Sequence, residues 1–115
     1  MIDFACKKFD INDIFKCGLG LTKADFKVME FLIKNHDKEW ATDKLSTKLN
    51  LNISTVQRAV KKLHEQDIID RIQKNLISGG YFFVYQSKNK KTISRVLMSV
   101  VHKWVSRVED ELKDW

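Results

Sequence analysis

The sequence contains no proline and only four glycines among 115 residues. It has no low-complexity tract and no repeat at the period of helical or leucine-rich arrays, which excludes a solenoid. Its two cysteines, Cys6 and Cys17, lack the paired CxxC spacing of a structural zinc site. His36, His64 and His102 fall on separate expected elements and form no HExxH or HxxxH pair. No metal and no cofactor is therefore expected. No apolar run is long enough to span a bilayer, and the opening MIDFACKKFD carries acids without a long apolar stretch. Neither a membrane partner nor a signal peptide is expected, which places the protein in the cytoplasm. A nucleophile with its base, a paired acid site and a phosphate-cradling glycine loop are also missing, so the chain is not expected to be an enzyme.

What is present is a folding composition, 43% hydrophobic and 31% charged, at a length that suits one domain. The formal net charge is +6, and its distribution is more informative than its size. Residues 52–95 carry nine Lys or Arg against three acids, which accounts for the whole excess. Charge concentrated in this way raises the local potential and attracts polyanions.

Punctuation falls to the glycines. Before Gly18, Ile11, Ile14 and Phe15 stand at helical spacing and predict a short helix in an N-terminal extension, residues 1–20. Thr22 and Asp25 then form a capping box, and Phe26, Met29, Leu32 and Ile33 make a helical apolar face ending near Asn35. Thr42 is the expected N-cap of a second helix, about Asp43 to Leu49, with Leu45 and Leu49 four apart. Asn52 is the expected N-cap of a third, its side chain satisfying an amide at Ser54 or Thr55. This helix carries the stripe Ile53, Val56, Val60, Leu63 and closes at Asp67. Two short helices joined by about four residues, each with one apolar face, form a helix-turn-helix.

IIDRIQKNLI and YFFVYQ, joined by SGG, then read as a β-hairpin, and Thr92 to Trp115 as a long helix. The fold class is mainly α with a small β-hairpin (α+β): a winged helix-turn-helix over residues 21–88, followed by a C-terminal dimerisation helix over 89–115. In the hairpin, Tyr81, Phe83 and Tyr85 are assigned to the core face of a half-buried strand rather than to a platform for single-stranded nucleic acid.

On a helical wheel, Ser54, Thr55, Gln57, Arg58, Lys61 and Lys62 lie opposite the apolar stripe of the third helix. Short hydroxyls allow close approach to DNA; Gln57 suits an adenine edge and Arg58 a guanine edge; Lys61 and Lys62 suit phosphates. On the hairpin, Lys74, Asn75 and Ser78 near the tip are candidate phosphate or minor-groove contacts, and Arg71 at the base a backbone contact. A solvated face would look similar taken alone. The preceding helix, the hairpin and the local charge favour double-stranded DNA.

The last helix bears more apolar surface than a domain this small can cover. A homodimer through Leu97, Val101, Trp104, Val108, Leu112 and Trp115 is expected, with Phe4 and Phe9 contributing. Two-fold symmetry would set two recognition helices roughly 34 Å apart and imply a near-palindromic site.

The segments ISTVQRAVKKLHEQDIIDR and GGYFFVY resemble the recognition helix and wing of small archaeal winged-helix transcriptional regulators of the MarR-like and TrmB-like kind. GLGLTKADFKVMEFLIKN is similar to their first core helix, so the likeness covers residues 17 to 86. It implies a dimeric DNA-binding regulator, with Ser54, Thr55, Gln57 and Arg58 on the DNA-facing positions and Lys74 and Asn75 on the wing. Asp67 departs from the glycine usual there. No separate effector domain of the TrmB kind follows the wing, so a small-molecule effector is unsupported.

In that setting Cys6 and Cys17 are a candidate redox pair, a disulfide within or between subunits shifting the N-terminal segment. The simpler expectation is two reduced thiols buried as small hydrophobes. Two rival functions keep the same fold: a winged-helix module that docks a protein, and a chromatin-like architectural protein that binds DNA without reading sequence.

Overall fold

The computed structural model describes residues 1–115. The chain opens on a hairpin of two three-residue antiparallel strands, Ile2–Phe4 (β1) and Lys7–Phe9 (β2), whose side chains are exposed except for a half-buried Phe9. The extension is therefore a hairpin followed by the expected helix, Ile11–Leu19 (α1). Asp10 and Asp13 form a capping box at its start, and Gly20 closes it in the left-handed conformation (φ +64°) that glycine adopts without a steric penalty.

Helix α2, Lys23–Lys34, starts at the predicted box: the Thr22 hydroxyl accepts from the Asp25 N–H at 3.1 Å, and the Asp25 carboxylate accepts from the Thr22 N–H at 3.0 Å. The next two helices are Thr42–Leu49 (α3) and Ile53–Glu65 (α4). Thr42 is not the cap of α3. A two-residue strand, Trp40–Ala41 (β3), runs straight into the helix, so Ala41 occupies the cap position and makes no side-chain bond. Asn52 does occupy the cap position of α4, with extended backbone, but its side chain bonds no amide. Asp67 closes the turn after α4 with φ +62°, as expected.

The wing strands are Ile69–Asn75 (β4) and Tyr81–Ser87 (β5), and the antiparallel sheet runs β3-β5-β4. Trp40 pairs with Tyr85 on one side of β5, and Arg71 pairs with Tyr85 on the other. The last helix is Lys90–Lys113 (α5), capped by Asn89. No helix is long and apolar enough to cross a membrane.

The core gathers Leu19, Val28, Leu32, Leu45, Val56, Leu63, Ile69, Tyr85 and Ile93 from every helix and from the wing base. On α4 the buried face is Val56, Ala59, Val60 and Leu63; Ile53, expected there, stands at the first helical position and is 45% exposed. α1 packs against α5, where Gly18 faces the Leu97 and Val100 side chains. Leu97 is accordingly 6% exposed and belongs to the protomer's own core, which corrects its assignment to a dimer face. The molecule measures 62 × 25 × 24 Å with a radius of gyration of 16.9 Å. A compact chain of this length would have about 13 Å. The excess reflects parts that leave the core: the β1–β2 hairpin, and the end of α5, exposed at every position from His102 on.

Candidate nucleic-acid interface

The outward face of α4 carries Ser54, Gln57, Arg58 and Lys61, all exposed, with Thr55 half-buried. Its first turn has no acidic residue and no side-chain cap, whereas α1, α2 and α5 each have one. The positive end of the helix dipole and the orphan amides of the first turn thus lack the usual internal acceptor. Such an end suits a phosphate.

Lys62 departs from the expectation. Its ammonium donates to the Asp25 carboxylate at 2.8 Å and to the Gly20 carbonyl at 3.0 Å. Gln66, one turn later, donates to the Leu19 carbonyl at 2.7 Å. Both side chains bind the second half of α4 to the α1–α2 junction, so Lys62 fixes the helix instead of standing free for phosphate. Asp25 is 5% exposed. Burial alone would raise its pKa, but hydrogen bonds from Lys62 and Thr22 and the charge of Lys62 prevail and lower it below 3.8.

The wing lies along α4. Arg71 shares an open cleft with Lys61, His64 and Tyr85, and Gln57 shares another with Phe82 and Lys44. The Arg71 guanidinium sits 4.5 Å above the Phe83 ring, a cation–π contact that holds it beside the helix. Burial raises the Tyr85 pKa and the nearby Arg71 charge partly offsets this, so the phenol stays protonated at neutral pH. Towards the tip, Lys74 pairs with Glu39 at 3.4 Å and Asn75 accepts from Gln73 at 3.3 Å, while Ser78 is exposed in the turn. Exposed pairs of that kind are weak and exchange readily with other partners.

Of the nine basic residues in 52–95, Lys62, Lys74 and Lys88 are committed to ion pairs, Lys88 with Asp67 and Asp70. Arg58, Lys61 and Arg71 remain unpaired and together on the α4–wing side; Lys90, Lys91 and Arg95 remain at the start of α5. Tyr85 takes the core place expected of it and Phe83 is half-buried, but Tyr81 is exposed with its ring edge-on to Phe83. Cys6, in the β1–β2 turn, and Cys17, on α1, are both free and exposed, which corrects the expectation of buried thiols. Sequence reasoning missed the Asp25–Lys62 clamp, for which a separation of 37 positions leaves no local signal. It also passed over the apolar wing tip, where Leu76 and Ile77 in a turn were a usable one.

The chain matches the model of the DnaD N-terminal domain over residues 9–108. It belongs to the DnaD N-terminal domain family. The match spans α1 to α4, the wing and α5 as far as Val108. Among solved structures, the chain is similar to a possible transcriptional regulator from Methanosarcina mazei Go1, with a TM-score of 0.91 and 48% identity over 100% of this chain and 96% of that one. The uncharacterized protein MJ1503 of Methanocaldococcus jannaschii is 29% identical over 113 residues, 92% of this chain and 84% of that protein. The transcriptional regulator BldR from Sulfolobus solfataricus shares the fold, with a TM-score of 0.52 at 17% identity over 90% of this chain and 70% of that one. Likeness to archaeal winged-helix regulators is thus met at the level of the fold.

Proposed function

We propose that the chain is a sequence-specific, double-stranded DNA-binding transcriptional regulator that acts as a homodimer, in the manner of MarR-like and TrmB-like regulators. The observation that carries this reading is the outward face of α4: uncapped, unpaired at Arg58 and Lys61, and flanked by Arg71 of the wing. The 48% identical neighbour described as a possible transcriptional regulator supports it. Residues 21–88 dock on the duplex with α4 in the major groove, where Gln57 and Arg58 meet base edges and Lys61 and Arg71 meet phosphates. Ser54 and Thr55 let the start of α4 approach closely, and Asn52, free of a capping bond, joins them there. Lys74, Asn75 and Ser78 border the adjacent backbone, Lys74 by exchanging Glu39 for phosphate.

Residues 89–115 pair two copies through half-buried Val101 and exposed Trp104, Val108, Leu112 and Trp115, with residues 1–20 alongside. This arrangement sets the two α4 helices against successive turns of a near-palindromic site. No small-molecule effector enters this reading.

Selection of bound fragments from a random duplex library, followed by salt titration, tests it. A regulator shows a preferred site about 10³-fold or more tighter than random DNA, and affinity that falls steeply with salt. A preference below about tenfold would make the protein architectural, and absence of duplex binding at low salt would leave a protein-docking module.

A further inference from the structure

We propose that the wing tip is an apolar wedge that enters the DNA minor groove beside the major groove held by α4, unstacks a base step and bends the duplex. The proposal rests on the reading of α4 as DNA-facing. From Asn75 to Phe82 the wing bears no charged residue, and Lys74, just before, is paired with Glu39. Lys74 can exchange Glu39 for phosphate at the base of the tip, and beyond it the tip has no charge to offer phosphate. What it offers is Ile77, 108% exposed at the apex, with Leu76, Tyr81 and Phe82 exposed behind it.

The apex is stiff. The Leu76 N–H donates to the Gly80 carbonyl at 3.0 Å and the Gly79 N–H to the Leu76 carbonyl at 3.1 Å, closing the turn on both sides of Ile77. Turn positions favour Asn, Asp, Gly or Ser, whose side chains suit water; an isoleucine held outward at one is unfavourable unless something covers it. Gly79 and Gly80 also keep the tip thin, since each has open space where a side chain would stand. A turn narrowed by glycines can present the Ile77 side chain to a groove about 6 Å wide while the two strands stay outside it.

Continuity with α4 selects DNA as the occupant. Gln57 and Phe82 line one cleft, and Lys61 and Arg71 line another, so the wing leaves the protein directly alongside the helix. The six steps from Arg71 to Ile77, at about 3.3 Å each, carry the apex roughly 20 Å onward, enough to pass one sugar-phosphate backbone and reach the neighbouring minor groove. Aliphatic side chains inserted between base steps kink DNA, most readily at flexible pyrimidine–purine steps. The free cations of α4 supply the attraction that the tip lacks.

Ring closure by ligase reads bending without knowledge of the binding site. On a mixed-sequence duplex of about 120 bp, shorter than the persistence length, saturating wild-type protein should raise closure about tenfold and make thymines at TA steps reactive to permanganate. Ile77→Ser, at a position that packs against nothing, should lose both effects at matched occupancy. Ile77→Lys should bind at least as tightly as wild type through phosphate, yet still fail to bend. Equal ring closure and permanganate reactivity in wild type and Ile77→Ser, with the duplex bound, would overturn the wedge, leave the α4 reading intact and give the apolar tip to a protein partner. No binding of the duplex by wild type would overturn the α4 reading and the wedge together.

Discussion

The Lys62 ammonium lies 2.8 Å from the Asp25 carboxylate, joining the outward helix α4 to the first turn of α2. The carboxylate is buried and the lysine half-exposed, so the two partners respond differently to removal. Asp25→Asn keeps the capping geometry and releases Lys62 to water, which should cost about 1 to 2 kcal/mol. Lys62→Met strands a buried carboxylate and should cost more, about 2 to 3 kcal/mol after discounting for the exposed lysine. Urea denaturation of both variants measures the order. Equal stability of all three proteins would show that the pair contributes nothing to the fold.

The same pair gives a pH dependence with a defined sign. Folding lowers the Asp25 pKa below 3.8, so the unfolded state binds the proton more readily. The stabilisation is fully present above the unfolded value and is lost as pH falls through the folded one. Stability of the wild type relative to Asp25→Asn should therefore be constant from pH 7 to about 5 and shrink below about pH 4. Thermal midpoints of both proteins across that range provide the comparison; a gap that widens towards acid would contradict the assignment.

Arg58 and Lys61 are neighbours on one face with different expected duties. Arg58→Ala should cost about 1 to 3 kcal/mol on the preferred site and relax one base position per half-site. Lys61→Ala should weaken preferred and random duplex alike and reduce the salt slope by about 1. Binding titrations on both duplexes at several salt concentrations separate the two, and indistinguishable profiles would refute the division of roles.

How much of this was legible depended on how far the determining contacts reach. The Thr22–Asp25 box, the stripe Val56–Val60–Leu63 and the paired glycines after Ser78 are set by neighbours within about one helical turn or one hairpin. Their elements fall where the pattern places them. β3 is two residues long and exists because Ala41 pairs with Val84, 43 positions away in the chain. That pairing puts Ala41, not Thr42, at the cap position of α3. Likewise, nothing near Lys62 in sequence distinguishes it from Lys61. Asp25, brought alongside only by folding, takes one lysine and leaves the other free.

Both thiols are exposed, so Cys6 and Cys17 should react with a disulfide reagent in the native protein as fast as in the denatured one. If oxidation links them within or between subunits, non-reducing electrophoresis resolves the species and duplex affinity should change with it. Two slow thiols in the native state would mean that association buries them.

Trp104, on the half of α5 that has left the core, is 58% exposed, and Trp115, just past the end of the helix, is 98% exposed. Water-facing tryptophans in succession with Val108 and Leu112 form an apolar stripe about three turns long, larger than isolated surface residues explain. If a second copy covers it, Trp104→Glu should convert the protein from dimer to monomer in light scattering at micromolar concentration while leaving the fold's helicity intact. Leu97→Glu supplies the contrast. That side chain lies on the same helix, against Gly18 of α1, and is buried within the protomer. Placing a carboxylate there should destabilise the fold itself by about 3 kcal/mol or more. A wild-type protein that is already monomeric under these conditions would sink the dimer, and with it the two-fold site; Arg58 and Lys61 would then act on a single half-site.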